Sequence, residues 1–402
     1  MTRGILEQTF LAALLATSPA KLVRAYLPDS APTLILAIGK AAVPMLVVAR
    51  EAYPRTAFML VAPENSVLVA GQDVFYAGHP IPNEVSVAAA TRALQIFVGL
   101  SANDHVLLLI SGGGSALFCA PNGITLGQKQ DLTRQLLRSG ADIIQLNTVR
   151  KHLSKVKGGQ LVAATKARVT ALLLSDVVND DVASIASGLS VPDPSTFSDA
   201  MAILEQFGID APEAKKHLLR GVHGEIPETP KILETRVVST IIGSNKILLE
   251  AAKNYLTQQG VNAVIVSDAL AGEARELAYA HVKIIRANTL PIVLLSGGEA
   301  TVTVRGTGIG GRNQEFLLWL LEFLGQDGIY ALSVGSDGID GTSLAAGAII
   351  TPDSWQRAKA LGLEPREFLA NNDSGTFFER LGDQVLTGLT GHNLNDFRIF
   401  WL

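Results

Sequence analysis

The sequence predicts an α/β protein of two domains, each a largely parallel or mixed sheet flanked by helices, the first of them Rossmann-like. Three observations lead there. Apolar runs of five or six residues alternate with longer stretches at helical spacing, the pattern of parallel strands covered on both faces. The alternation stops across 192–235 and resumes after it. The length, 402 residues, suits two or three domains at roughly 150 residues each.

Phe10, Leu11, Leu14, Leu15 and Leu22 fall near helical spacing and predict an amphipathic first helix. Arg3 and the run FLAALLA have the outline of a secretory leader. Glu7 and Gln8 interrupt it, and the apolar run is too short. TLILAI (33–38) reads as a buried strand and 41–53 as the helix after it. Strands follow at 105–110 and 169–174, with helices at 84–98, 127–138 and 142–157. The segment 192–235 holds PDPSTFSD and HGEIPETP without a buried-strand pattern. It places a boundary near 230, dividing the chain into 1–230 and 231–402. Strands resume at 237–242, 262–266, 291–295 and 329–334. LLLISGGGSA (107–116) and IVLLSGGEAT (292–301) both run from an apolar strand into Ser-Gly-Gly. Each is read as a strand followed by a glycine turn.

Lys and Arg number 33 against 37 Asp and Glu, a formal charge of −4. That argues against a dedicated nucleic-acid binder. Hydrophobic residues are 48% and charged residues 17%, a composition rich in core rather than disordered. Cys119 is the single cysteine, which excludes an internal disulfide or a multi-cysteine metal site and fits a reducing cytoplasm. The longest uncharged stretch, His105 to Gln128, is broken by SGGGS and PNG, so no membrane span is expected.

The glycines carry most of the chemistry. Ser111, Gly112, Gly113, Gly114 and Ser115 stand at the carboxyl end of a predicted parallel strand. Backbone N–H groups can approach an anion there, at the edge where open α/β sheets bind ligands. The bland alternative is a tight turn. A second cluster, Gly306 to Glu315, contains Gly310, Gly311, Arg312 and Asn313 and matches G-x-G-x-x-G at Gly306, Gly308 and Gly311. A strand at 300–305 and a following helix would make it a dinucleotide fingerprint, though Gly310 loosens the loop. Arg312 suits phosphate oxygens. Lys40 ends the strand 33–38 on a glycine turn and points at the same edge. No Walker A sequence occurs.

Three acidic groups compete for metal and base roles. Asp176, Asp180 and Asp181 follow the strand at 169–174. Asp337 and Asp340 follow the strand at 329–334, and Glu299 follows the one at 291–295. Carboxylates beside glycine loops suit a hydrated Mg²⁺ that bridges to phosphates; caps and turns are the alternative. Arg150, Lys151, Lys155 and Lys157 cluster near a predicted helix end, where the default is a solvated face. A carboxylate or triphosphate could also land there. His79 and His152 are read as structural.

Together these motifs resemble the class II glycerate kinases, the glycerate 2-kinases that carry a MOFRL domain. The matching stretches include A-I-G-K-A-A (37–42), G-H-P-I-P-N (78–83), L-I-S-G-G-G-S-A-L (109–117) and N-T-V-R-K-H-L-S with K-G-G (147–159). They continue through S-D-V-V-N-D-D (175–181), G-G-R-N-Q-E (310–315), G-S-D-G-I-D-G (335–341) and T-G-x-T-G-x-N-x-N-D (387–396). The resemblance implies ATP-dependent phosphorylation of D-glycerate at its 2-hydroxyl, with Mg²⁺, in a cleft between two α/β domains. It puts the functional lysine at Lys40, the functional arginine at Arg312 and the acidic motif at Asp176, Asp180 and Asp181. The chain departs from the family pattern at Asn179, usually Gly, at Leu189-Ser190, Leu344, Leu389 and His392.

On this reading Lys40, Arg312, Asp180 and Asp181 are catalytic. Ser111 to Ser115, Gly310, Gly311 and Asn313 hold the nucleotide or substrate anion, and Asp176, Glu299 and Asp337 bind metal. Lys40 and Arg312 are both placed on turns, so replacing either is expected to leave folding intact. The expected partner is D-glycerate, with no nucleic acid or membrane; a homodimer is admitted. The alternatives are a nicotinamide-dependent hydroxypyruvate reductase, resting on the Gly306–Gly311 pattern, and a non-catalytic sugar-phosphate sensor.

Overall fold

The computed structural model describes residues 2–233, 236–288 and 291–402. The chain packs as two compact units. The first is Leu22–Ile242; the second joins the start of the chain, through Lys21, to Gly243–Leu402. The boundary near 230 would leave the first helix, Thr2–Ala16, in the first domain, but its contacts put it in the second unit. Phe10 stacks on Phe397 with ring centroids 5.3 Å apart. His392 Nε2 lies 2.9 Å from the Leu14 carbonyl. The sequence pattern shows that this helix has an apolar face, but not which sheet receives it.

The first unit is built on β1 (Leu34–Ile38), β2 (Ala57–Pro63), β3 (Val74–Ala77), β4 (His105–Ile110), β5 (Arg168–Leu174) and β6 (Val237–Gly243). Their order in the sheet is β3-β2-β1-β4-β5-β6, the Rossmann order. β1 pairs in parallel with β2 and β4, β2 with β3, and β4 with β5. Every residue of β1 and β4 is buried. These strands have no polar face to turn outward, and each apolar side chain withdrawn from water contributes roughly 1.5–3 kcal/mol. Helices start where capping boxes satisfy their first N–H groups, at Asn83 with Ser86, Thr125 with Gln128 and Asp142 with Gln145. The helix expected over 142–157 spans Ile143–His152. It stops where Ser154 Oγ takes the Val156 and Lys157 N–H groups and Gly158 and Gly159 turn left-handed. Residues 192–235, which lack a buried-strand pattern, contain the helices Phe197–Gln206 and Pro212–Val222. They complete a second core with Leu132, Leu136, Val149 and Leu153.

The second unit holds β7 (Ala263–Glu273), β8 (Val293–Thr301), β9 (Tyr330–Gly335), β10 (Gly347–Ile350), β11 (Gln384–Val385) and β12 (Asp396–Trp401). Their order is β11-β10-β9-β12-β8-β7. β7 and β8 are parallel; the other pairs are antiparallel, so the sheet is mixed. β12 inserts between β8 and β9. The Ser-Gly-Gly of β8 is not a turn: Ser296, Gly297, Gly298 and Glu299 lie within the strand. Gly298 has φ +124°, and a Cβ there would sit 2.1 Å from the Leu270 carbonyl oxygen. Gly298 lets the irregular register of β7 close against β8. Among the described residues no helix is long and apolar enough to cross a membrane.

Candidate functional site

In a sheet of Rossmann order, the crevice outside the carboxyl ends of the strands opens where the order reverses, between β1 and β4. The residues after these two strands interlock. The Lys40 N–H donates to the Gly112 carbonyl at 2.9 Å, and the Ala41 N–H donates to Ser111 Oγ at 3.0 Å. Gly39 has φ +123°, and a Cβ there would lie 2.3 Å from Ser111 Oγ; only glycine fits. Ser111 is fully buried and its N–H goes to the Ile38 carbonyl at 2.9 Å, so it shapes the turn. Lys40 is exposed, with no ion-pair partner among the described residues.

The SGGGSA loop meets two further segments. A Cβ on Gly113 would touch the His79 ring at 3.0 Å and Lys40 Cγ at 3.3 Å. Burial, and then the Lys40 charge, push the His79 pKa below its usual value, so this imidazole is neutral near pH 7. His79 was read as structural; its place beside Lys40 and Gly113 was not visible in G-H-P-I-P. Ser115 Oγ is 2.7 Å from Ser187 Oγ, which donates to Asn147 Oδ1 at 3.0 Å. Ala186 (φ 49°) and Ser187 (φ 60°) hold left-handed backbone. Such conformations cost about 1–3 kcal/mol each and gather at functional sites. The helix that follows the glycines is one turn, Gly114–Leu117, too short for a full helix dipole.

The acidic loop follows β5. Asn179 (φ 67°) and Asp180 (φ 55°) are left-handed. Asparagine tolerates that region better than most residues, which accounts for Asn179 where glycine is usual. Asp181 caps a turn, accepting the Ala183 N–H at 3.1 Å and the Ser184 hydroxyl at 2.7 Å.

The cations after Asn147 are not a solvated face. Lys155 is exposed, but Lys151 is buried against Asp193 at 3.4 Å, and Lys157 is fully buried with its Nζ 2.9 Å from the Ser115 carbonyl. His152, buried, sits 2.9 Å from Glu228 Oε1, a structural pairing.

In the second unit Arg312 opens the helix Arg312–Leu324. Its Nε meets Asp396 Oδ1 and its Nη1 meets Glu299 Oε1, each at 2.8 Å. The two carboxylates hold its pKa above the ordinary arginine value despite burial. Asp396 is fully buried and also accepts Asn313 Nδ2 at 2.9 Å, Arg398 Nη2 at 2.8 Å and the Ala300 N–H at 3.2 Å. Asp340 accepts the N–H groups of Asn313 (2.9 Å) and Gln314 (2.8 Å) at the helix start. Sequence reasoning passed over Asp396 and Arg398; the T-G-x-T-G-x-N-x-N-D stretch was the available signal. Arg312 is thus part of a buried network, not a residue on a turn.

Burial, with the nearby Asp396, raises the Asp340 pKa to about 7, against ~3.9 in an unfolded chain. Between those values the folded protein keeps a proton that the unfolded chain has released. This residue's contribution to stability therefore falls as pH rises from about 4 to about 7, by up to ~1.4 kcal/mol per pH unit. Asp340→Asn removes that slope. Denaturant titrations at several pH values should show the wild type losing stability relative to the variant across this window; parallel profiles would reject the assignment.

The Gly306–Gly311 loop has a structural explanation. A Cβ on Gly306 would lie 2.2 Å from the Asn371 carbonyl, and one on Gly308 2.4 Å from Asp373 Cβ. One on Gly310 would lie 2.4 Å from Ser374 Oγ, and one on Gly311 2.3 Å from the Asp340 carbonyl carbon. The glycines let this loop lie against residues 371–375 and Asp340. β8 ends at Thr301 rather than 305, so ten residues separate strand from helix. The fingerprint needs its glycine turn directly between them, and the dinucleotide reading loses its basis.

Among the described residues no group of three or more His, Cys, Asp or Glu is placed to hold an ion. Glu299 pairs with Arg312, and Asp337 Oδ1 accepts the Ile339 N–H at 3.2 Å. The 176–181 loop keeps the donor chemistry for an ion held by one or two carboxylates, as Mg²⁺ commonly is.

Comparison with known proteins places this geometry. Residues 5–220 match a domain of unknown function, DUF4147, and residues 292–396 match the MOFRL family. A D-glycerate 2-kinase of Thermotoga maritima is 41% identical over 334 residues, 81% of this chain and 78% of that protein. A provisionally named hydroxypyruvate reductase of Agrobacterium vitis is 41% identical over 413 residues, 98% of this chain and 93% of that protein. The crystal structure of a glycerate kinase from Thermotoga maritima superposes with a TM-score of 0.91 at 37% identity, covering 100% of this chain and 99% of that one. The chain belongs to this glycerate kinase family.

Proposed function

We propose that this member of the family transfers the γ-phosphoryl group of ATP to the 2-hydroxyl of D-glycerate, giving 2-phosphoglycerate and ADP. The observation that carries this reading is the end-to-end likeness to glycerate kinases. The Rossmann-ordered sheet, with Lys40 and the SGGGSA loop at its switch point, supports it.

Phosphoryl transfer asks a protein for positioning and charge stabilisation. Lys40 supplies an exposed cation on a backbone fixed by Gly39 and Ser111. Gly112 to Ser115 offer N–H groups at the sheet edge. Asp180 or Asp181 receives the proton of the 2-hydroxyl; Asp181 already serves a turn, which favours Asp180. One or two carboxylates of the 176–181 loop would hold a Mg²⁺ ion, which would supply neutralisation of the triphosphate charge. Arg312 presents a permanent positive charge, oriented by Asp396 and Glu299.

The test is the product. Incubation with D-glycerate, ATP and Mg²⁺ should release ADP and yield a product that enolase consumes without phosphoglycerate mutase. Phosphorus NMR should show a 2-phosphate; a 3-phosphate would reject the regiochemistry. The reductase reading has a relative's name behind it but no fingerprint geometry. It predicts a fall in nicotinamide absorbance with hydroxypyruvate, where the kinase reading predicts none.

A further inference from the structure

The first unit brings two buried lysines and a half-buried arginine into one another's electrostatic reach without giving them a carboxylate. Lys157 is 0% exposed and Lys129 5%; Arg150 is partly exposed. Lys129 and Arg150 both bear on Lys157, and the buried Cys119 thiol lies in the field of all three. No ion pair joins any of them to an acid among the described residues. The neighbouring Lys151 shows what a structural cation receives in this unit, since it has Asp193. Lys157 does reach the Ser115 carbonyl of the SGGGSA loop. That accounts for one cation and leaves two.

The Asn147 amide, joined to Ser115 through Ser187, adds a donor of the same sign. Asn147 uses its Oδ1 on Ser187, while its buried Nδ2 has no acceptor. Buried donors with nothing to accept them are costly to fold. Arginine cannot relieve it by losing its proton. Burial, and then repulsion from the neighbouring cations, hold both lysines below the ordinary range, and burial lowers Arg150 to about 10. An oxyanion supplies what the protein omits: a negative charge and several acceptor lone pairs. Arg150 is the cation of the three with the most solvent contact, so the cluster is open on its side.

We propose that Lys129, Arg150 and Lys157, with the Asn147 amide, form an oxyanion subsite behind the SGGGSA loop that takes a carboxylate or phosphate group. Under the kinase reading, on which this step rests, the oxyanion comes either from the carboxylate of the acceptor or from a nucleotide phosphate.

Lys129→Met separates binding from structure, because it removes a buried cation with no hydrogen-bond or ion-pair partner and keeps its volume. The melting temperature of the unliganded variant should be unchanged or higher. The rise in melting temperature that inorganic phosphate or D-glycerate gives the wild type should be lost. Losing one charge-assisted contact weakens binding by about 10- to 100-fold. If the acceptor carboxylate is the ligand, KM for glycerate rises by that factor and KM for ATP does not. If a nucleotide phosphate is the ligand, the ATP value rises instead, and the subsite stands. Arg150→Met should repeat the pattern, and serves if the first variant does not fold. A wild type whose melting ignores both anions overturns the proposal. So do variants that keep the anion response, or that lose stability while still binding. A wild type stabilised by phosphate but inert toward glycerate and ATP would reject the kinase reading and leave the subsite in place.

Discussion

Replacing Asp396 by alanine is expected to destabilise the protein by about 3–5 kcal/mol. Four donors converge on this carboxylate, from Arg312, Asn313, Arg398 and the Ala300 backbone. Arg312 would retain Glu299. Arg398 would retain no hydrogen-bond partner: it is fully buried, its Nε and Nη1 already lack partners, and its guanidinium lies 4.9 Å over the Phe316 ring. An uncompensated buried charge is the expensive outcome of breaking an ion pair. Against a total stability of ~5–15 kcal/mol, that loss is large. Asp396→Asn should do little better, because its amide turns a donor toward a cation. Adding Arg398→Met to Asp396→Ala should recover part of the loss by removing the stranded charge. Denaturant unfolding of the two singles and the double decides it. A loss under ~1 kcal/mol, or a double variant as unstable as the sum of the singles, would refute the account.

The first unit was largely legible in the sequence because its information is local. TLILAI and HVLLLI are apolar on both faces, the pattern of a strand covered on both sides. The glycines after them marked the edge where Lys40, Gly113 and His79 meet. The second unit was less legible because its site is assembled from distant segments. β12 comes from the chain end and inserts between β8 and β9, and nothing in DFRIFW announces that position. Asp396, two residues from the deeply buried Arg398, closes the T-G-x-T-G-x-N-x-N-D stretch, but nothing local there says which arginine it meets. The same cause misled the reading of S-G-G-E. Next to an apolar run, glycines look like a turn; here the neighbours that demand them are Asn245, on a helix, for Gly297 and Leu270, on another strand, for Gly298. Composition misled at Lys157 as well. A lysine-rich run is normally solvated, and only the fold shows it turned inward.

Lys40→Ala and Arg312→Ala are each expected to lower kcat by about 100-fold or more, and the structure now separates them by stability. Loss of one preorganised charge at a transferring phosphoryl group raises the barrier by roughly 3 kcal/mol or more, and each 1.36 kcal/mol is tenfold in rate. Lys40 is exposed and holds its turn through backbone groups, so alanine leaves Gly39, Ser111 and Gly112 joined as before. Its melting curve should match the wild type. Arg312 neutralises Asp396 together with Arg398, so its removal leaves a fully buried carboxylate with one cation where it had two. A stability loss of about 1–3 kcal/mol should accompany the rate loss. Arg312→Lys tests the geometry, since a lysine cannot reach Asp396 and Glu299 with the planar fork that now spans them. It should keep the charge and still lose most of the rate. The measurement is steady-state kinetics with glycerate and ATP alongside thermal melting of each variant. A Lys40 variant with normal kcat would remove Lys40 from the mechanism. An Arg312→Lys variant with wild-type kcat would show that charge alone is what Arg312 provides.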